Sequence, residues 1–138
     1  MKASELTGTS LDWAVAKCEG YAFASDGINT FVEIEDKLII LGHKYGYSPS
    51  TYWNTGGAII EREHIAVFSV KGHLNQGRWA ADLYKHQQPS CDEDEDELYS
   101  FYEFDLSYGE TALIAAMRRY VTFKLGKNVD IPKEINNV

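Results

Sequence analysis

A chain of 138 residues with 44% apolar content is long enough to build one packed core and too short to divide comfortably into two, so a single domain over residues 1–138 is expected. The formal charge of −8, from 21 acidic against 13 basic residues, opposes binding to phosphate backbones, which needs a basic face, so no direct nucleic-acid partner is expected. No window approaches the roughly 18 apolar residues of a membrane span and the amino terminus lacks the apolar stretch of a signal peptide, so no membrane role and a reducing cytoplasm are expected.

The first periodic segment is Thr9-Ser10-Leu11-Asp12-Trp13-Ala14-Val15-Ala16-Lys17-Cys18-Glu19-Gly20. Thr9 and Asp12 have capping-box spacing, Leu11, Val15 and Cys18 share a helical face, and Gly20 suits a left-handed stop, which predicts a helix over about 10–19. Phe31-Val32-Glu33-Ile34-Glu35 alternates as a strand with one wet face, and Leu38-Ile39-Ile40-Leu41 follows Asp36-Lys37. A hairpin turning at Asp36-Lys37 is one reading, although neither residue is the glycine such turns favour. A single bent strand is the other.

From Gly42 to Gly57 the chain reads as an irregular loop unusually rich in aromatics, and Ala58 to His64 as either one helical turn or the approach to a strand. Ile65-Ala66-Val67-Phe68-Ser69-Val70 and Arg78 to Tyr84 read as strands. Six of the acids form one unbroken run, Asp92 to Glu97, without which the chain is nearly balanced. Its mutual repulsion predicts a mobile acidic loop at about 86–97. Leu98 to Asp105 returns to strand-like aromatic content. Ser107 and Glu110 again have capping-box spacing, and Leu113, Ile114, Met117, Tyr120, Val121 and Leu125 make one apolar face before Gly126, predicting a helix over about 108–125. The fold expected is α+β, a mostly antiparallel sheet of about four to six strands packed with these two helices.

Chemistry concentrates between Tyr47 and Arg62. Tyr47 or Trp53 could stack a planar ring, while Ser48, Ser50, Thr51 and the amides at Gly56 and Gly57 receive polar groups or phosphate. An ordered loop that docks its own aromatics is the alternative. Arg62 could clamp an anion bidentately, with Glu61 beside it, and Arg118, on the border of the last helix's apolar face, could reach the same pocket or snorkel to water. Glu61, Glu63 and His64 could do acid–base work if buried together, or form an ordinary ion pair. Metal sites and cofactors are not expected: His43, His64, His73 and His86 lack ligand spacing, and Cys18 and Cys91 lie apart.

Taken together, Leu11-Asp12-Trp13-Ala14-Val15-Ala16-Lys17, Tyr47-Ser48-Pro49-Ser50-Thr51, Trp53 with Gly56-Gly57, Ile59-Ile60-Glu61-Arg62-Glu63, Trp79, and Leu113 to Arg118 with Tyr120-Val121 resemble, in order, the NinX family of lambdoid phage proteins over about residues 4–132. The family pattern carries proline where this chain has Ala58 and Ala112, both read here as first helical positions, and the acid run with the tyrosines of 98–108 looks like an insertion. The resemblance implies a phage or prophage protein acting in the host bacterial cytoplasm, and it implies no reaction.

Three functions follow. The first is a non-enzymatic binding protein, with a counter-defence role among its uses, holding a small polar or nucleotide-like ligand or a host protein in one cleft. That cleft is formed by Tyr47, Ser48, Ser50, Thr51, Trp53, Gly56, Gly57, Glu61, Arg62 and Arg118, and self-association is left open. The second is an acidic mimic of DNA that inhibits a host nucleic-acid enzyme. The third is a small hydrolase or transferase using Glu61, Glu63 or His64.

Overall fold

The computed structural model describes residues 1–43, 45–70, 79–83 and 106–136. A 3-10 turn at Ala3–Glu5 precedes α1 (Gly8–Cys18), β1 (Ala22–Ser25), β2 (Thr30–Ile34) and β3 (Lys37–Ile40). Then come α2 (Trp53–Glu63), β4 (Ile65–Ser69), β5 (Trp79–Leu83), β6 (Ser107–Gly109), α3 (Ala112–Leu125) and the short α4 (Lys133–Asn136). The expected α+β class and antiparallel pairing are found, divided between two three-stranded sheets with orders β1-β2-β3 and β4-β5-β6. No helix among the described residues is long and apolar enough to cross a membrane.

α3 is the axis of the molecule. It packs on β4, β5 and β6 and also touches α1, α2 and the amino-terminal 3-10 turn. The sequence allows this because Ala115 and Ala116 permit close approach on one side while Leu113, Met117, Tyr120 and Val121 fill the other, all of them buried. The helix starts later than its local pattern suggests. Ser107-Tyr108-Gly109, expected to cap it, instead forms β6, with Ala81 opposite Ser107 and Trp79 opposite Gly109. Thr111 takes the cap, its Oγ1 accepting from the Ile114 amide at 3.1 Å. Pairing with β5 thus outweighs a capping box, and Gly109 makes it possible: a Cβ there would lie 2.6 Å from the Ala115 nitrogen.

α1 instead begins earlier than expected, at Gly8, and without a side-chain cap. Asp12 is not its capping residue but a buried tertiary contact, and Gly20 (φ 80°) ends the turn that follows, as expected. Cys18 points partly inward, and burial pushes its thiol up to about 12, so it is a poor nucleophile at neutral pH. Trp13 stacks on Phe23 of β1 with ring centroids 5.3 Å apart, which fastens the first sheet to α1. β1 was not foreseen.

The β2–β3 hairpin exists, with its turn one residue earlier than expected. Phe31 pairs with Ile40 and Ile34 with Lys37, leaving Glu35 (φ 49°) and Asp36 (φ 64°) as the two loop residues. Positive φ at both is the primed turn that matches strand twist, and here two acids occupy it without glycine. β4 and β5 pair from Ile65 opposite Leu83 to Ser69 opposite Trp79, as two of the expected strands. The expected strand at 98–105 and the acidic loop at 86–97 lie outside the described residues.

The third long helix, α2, takes Trp53 to Gly57 from the expected loop and runs on through Ala58 to Glu63, where a helical turn was one of the two readings, so Ala58 sits in its interior rather than at its start. Proline at that position would delete a helical hydrogen bond, whereas Ala112 does open α3, where proline is tolerated. Two glycines weaken α2 by roughly 1 kcal/mol each relative to alanine, so packing must supply what propensity does not. Gly56 shows how: a Cβ there would collide with the Pro49 carbonyl and lie 2.6 Å from Leu113 Cδ2.

Because Glu35 and Asp36 hold left-handed backbone angles that β-carbon residues resist, Glu35→Asn combined with Asp36→Gly is expected to stabilise the protein by about 1 kcal/mol. In a thermal melt this raises Tm by roughly 3–5 °C. An unchanged or lower Tm would mean that the two acids hold their turn at no expense.

Candidate functional site

The aromatic loop is folded inward by one buried carboxylate. Asp12, 2% exposed on α1, accepts a hydrogen bond from the Ser50 amide at 2.9 Å. Around it the chain turns tightly: the Thr51 and Tyr52 amides donate to the Ser48 carbonyl at 3.1 and 3.0 Å, and Ser48 Oγ donates to the His43 carbonyl at 2.9 Å. Ser48, Pro49 and Ser50 are all buried as a result. Burial drives the Asp12 carboxyl up to about 6, against the opposing pull of the Ser50 amide and hydroxyl.

Tyr47 is buried beside this turn. Its amide donates to the Ile40 carbonyl at 2.8 Å and its ring meets Tyr21 edge-on, centroids 5.9 Å apart. The ring is 5% exposed, and its hydroxyl has no hydrogen-bond partner among the described residues. Burial, with Glu19 nearby, holds that phenol far above the ordinary tyrosine range.

A second polar hub joins the carboxyl ends of α1 and α2 to α3. Arg62 Nη2 donates to both oxygens of Glu19 at 2.9 and 3.0 Å, and Nε donates to Glu63 Oε2 at 2.8 Å. Arg62 Nη2 also reaches the Tyr120 hydroxyl at 3.2 Å, which in turn donates to Glu19 Oε2 at 3.3 Å. The guanidinium carbon stands 5.9 Å from the centre of the Tyr120 ring. The Glu19 and Glu63 side chains are only 11% and 9% exposed, so the half-exposed arginine neutralises two nearly buried carboxylates at once.

The ten residues expected to line one cleft do not share it. Tyr47, Ser48, Ser50 and Gly56 are interior, whereas Thr51, Trp53, Glu61 and Arg62 are on the surface, with Gly57 partly covered beneath the Trp53 ring. Trp53 and Arg62 stand nine residues apart on α2, which at about 100° per residue puts them on opposite sides of the helix. Arg118 belongs to α3. It leaves α3 on a side different from Tyr120 and donates from Nε to the Leu6 carbonyl at 2.8 Å and from Nη1 to the Tyr108 carbonyl at 2.7 Å. Burial lowers its pKa, and its role is to tie the amino-terminal segment to β6.

Glu61, Glu63 and His64 also diverge. Glu63 faces the interior and is held by Arg62, Glu61 faces solvent, and His64 is an exposed residue whose left-handed backbone (φ 55°) closes α2. Among the described residues no three His, Cys, Asp or Glu side chains gather to hold a metal ion. Sequence reasoning missed Glu19, Tyr120 and the tertiary use of Asp12. Only Asp12 left a signal, an acid embedded between Leu11 and Trp13 on an otherwise apolar helix.

The family profile described as Bacteriophage P22, NinX matches residues 2–124, a span that holds both polar hubs and stops one residue short of the end of α3. No curated protein matches the chain.

Two outcomes test this geometry. Unfolded, Asp12 ionises near 3.8; folded, near 6, so the native state binds the extra proton in between. Stability from this group is therefore greatest below the unfolded value and falls as pH rises through that window, by about 3 kcal/mol in all. Asp12→Asn can still accept from the Ser50 amide and does not titrate, so its Tm relative to the parent should climb between about pH 4 and about pH 7. A gap that stays constant would remove the burial penalty. Separately, Arg62→Ala strands Glu19 and Glu63 and should lower stability in urea by about 2 kcal/mol. A parental midpoint would return Arg62 to the role of a solvated surface charge.

Proposed function

The chain belongs to the NinX family of bacteriophage P22, and on that premise we propose that it is a non-enzymatic binding protein that holds a basic surface of a host protein against the outer face of α2. The observation that carries this reading is Trp53. It is 57% exposed at the first turn of α2, and its ring lies along Gly57, where a Cβ would stand 3.2 Å from Trp53 Cε3. Glycine lets the indole lie flat, backed by the helix on one side and open to a partner on the other. Tryptophan in such a setting is the residue type that most often anchors protein interfaces.

Charge selects the kind of partner. Arg62 is the one basic residue of α2, and Glu19 and Glu63 already neutralise it. Glu61 stands exposed on the same outer face as Trp53, in a chain of net charge −8. An arginine or lysine of a partner can stack on the indole while its neighbours pair with carboxylates. Such binding inside the infected bacterium, including interference with host defence, needs no acid–base machinery, in keeping with the separation of Glu61, Glu63 and His64. The inward-facing Tyr47, Ser48 and Ser50 favour a protein partner here over a small ligand enclosed by the loop.

Host lysate passed over the tagged full chain is the direct test. The host protein retained by the parent should be lost at least about tenfold with Trp53→Ala, with the circular dichroism spectrum unchanged, and should elute as salt rises. Retention by the Trp53 variant, or capture indifferent to salt, overturns the reading.

A further inference from the structure

The first turn of α1 meets the end of β3 at a glycine. Gly42 has φ 71°, and a Cβ there would lie 2.5 Å from Thr9 Oγ1, so its bare backbone lets the Thr9 side chain rest against it. Backbone bonds fix this strand end on two sides: the Leu41 amide donates to the Thr30 carbonyl and the Gly42 amide to the Tyr47 carbonyl, each at 2.9 Å. The short α4 closes a third side, packing on α1 with Ile135 only 3% exposed. Between these walls lies a cavity of about 150 Å³. Ile40, Leu41 and Ile135 give it an apolar side, while Thr9, Asn29, Thr30 and Glu134 give it a polar one. Glu134 stands exposed at its edge and enters no ion pair among the described residues.

Size, wall chemistry and charge together define the ligand. The volume is well below the roughly 300 Å³ at which sites for larger organic ligands begin, and it matches a hole that accepts a single benzene ring, so the occupant has about six heavy atoms. Three aliphatic side chains favour a hydrocarbon body. The Glu134 carboxylate, the Asn29 carbonyl and two threonine hydroxyls are all acceptors, which suits a group that only donates. We propose that this cavity binds a primary alkylammonium of about four carbons, its chain against Ile40, Leu41 and Ile135 and its nitrogen at Glu134 and the neighbouring hydroxyls. Three N–H donors on a compact head fit such a space better than the broad planar fork of a guanidinium. Because Leu41 and Gly42 are already held by backbone bonds, binding has little of the protein left to order. A free diamine and a lysine side chain share this chemistry. The site shares no residue with the α2 face and stands or falls without it.

Titration of the full chain with butylamine, followed by amide NMR at constant ionic strength and about pH 8, where an alkylammonium keeps its proton, tests the site. The amide signals of Thr30, Gly42 and Ile135 should shift saturably, and butanol, equal in length but uncharged, should bind at least about tenfold more weakly. Glu134→Gln should lose at least about tenfold in affinity for butylamine with the rest of the spectrum unchanged. Trp53→Ala should bind as the parent does, which separates this result from any failure of the α2 interface. Should the Glu134 variant not fold, Asn29→Ala read in the same way gives the comparison. Two further probes identify the source of the amine: acetyl-lysine amide, acetylated on its α-nitrogen, binding as well as butylamine assigns the site to a protein's lysine, and tighter binding by butane-1,4-diamine assigns it to a free diamine. Shifts that do not saturate at tens of millimolar butylamine, butanol binding as well as the amine, or undiminished affinity in the variant overturns the proposal.

Discussion

The hydrogen bond from the Ser50 amide to the buried Asp12 carboxylate decides where the middle of this chain lies. It draws the turn at Ser48–Tyr52 under α1, and the Pro49 carbonyl then meets α2 at a position only glycine can occupy. With Gly56 pressed there and against Leu113, the direction of α2 is set, and its last turn arrives beside Tyr120 and Glu19. A carboxylate raised toward neutrality by burial is an expensive hinge for this chain of contacts. It is also a specific one, because an apolar residue at that position would leave the Ser50 amide without a partner in the interior.

Arginine shows how differently the same side chain is used around α3. Arg62 is spent on two acids and a tyrosine, and Arg118 on two backbone carbonyls that no other described side chain satisfies. In sequence Arg62 reads as an anion clamp and Arg118 as reaching a pocket or snorkelling to water, and both turn out to join secondary-structure elements. Arg119, the neighbour of Arg118, is the one that faces a cavity. A difference of one position on a helix is about 100° of direction, which suffices to send one guanidinium to backbone carbonyls and the next to a cavity wall.

That difference also explains how much of the molecule was legible beforehand. α1, α3, the β2–β3 hairpin, β4 and β5 announce themselves through local periodicity, which each segment carries within itself. β1 and β6 are too short to show a period and exist because β2 and β5 offer them partners. α2 opens with Trp53-Asn54-Thr55-Gly56-Gly57, a run of weak helix formers, so only its packing against Pro49 and Leu113 reveals its first half. In the candidate site, the chemistry of each residue type was readable but its direction was not. The Ser48–Ser50 turn read as surface because the buried acceptor of its Ser50 amide lies 38 residues away, and no local pattern encodes a contact of that span.

The central place of α3 bears on how the protein comes to be folded at all. Its contacts reach back to the 3-10 turn at Ala3–Glu5, and the Arg118 bond to Leu6 spans 112 positions. On a ribosome, α1, both hairpin strands and α2 emerge well before the helix that covers them. Closing loops of this length is entropically tolerable, since the penalty grows only with the logarithm of length, but it cannot happen before the partner has been made. Until then the apolar faces of α1 and α2 wait uncovered, open to chaperones and proteases. Structure is therefore gained abruptly once this helix is made, and a chain cut before Ala112 lacks the surface on which α1, α2 and the second sheet all pack.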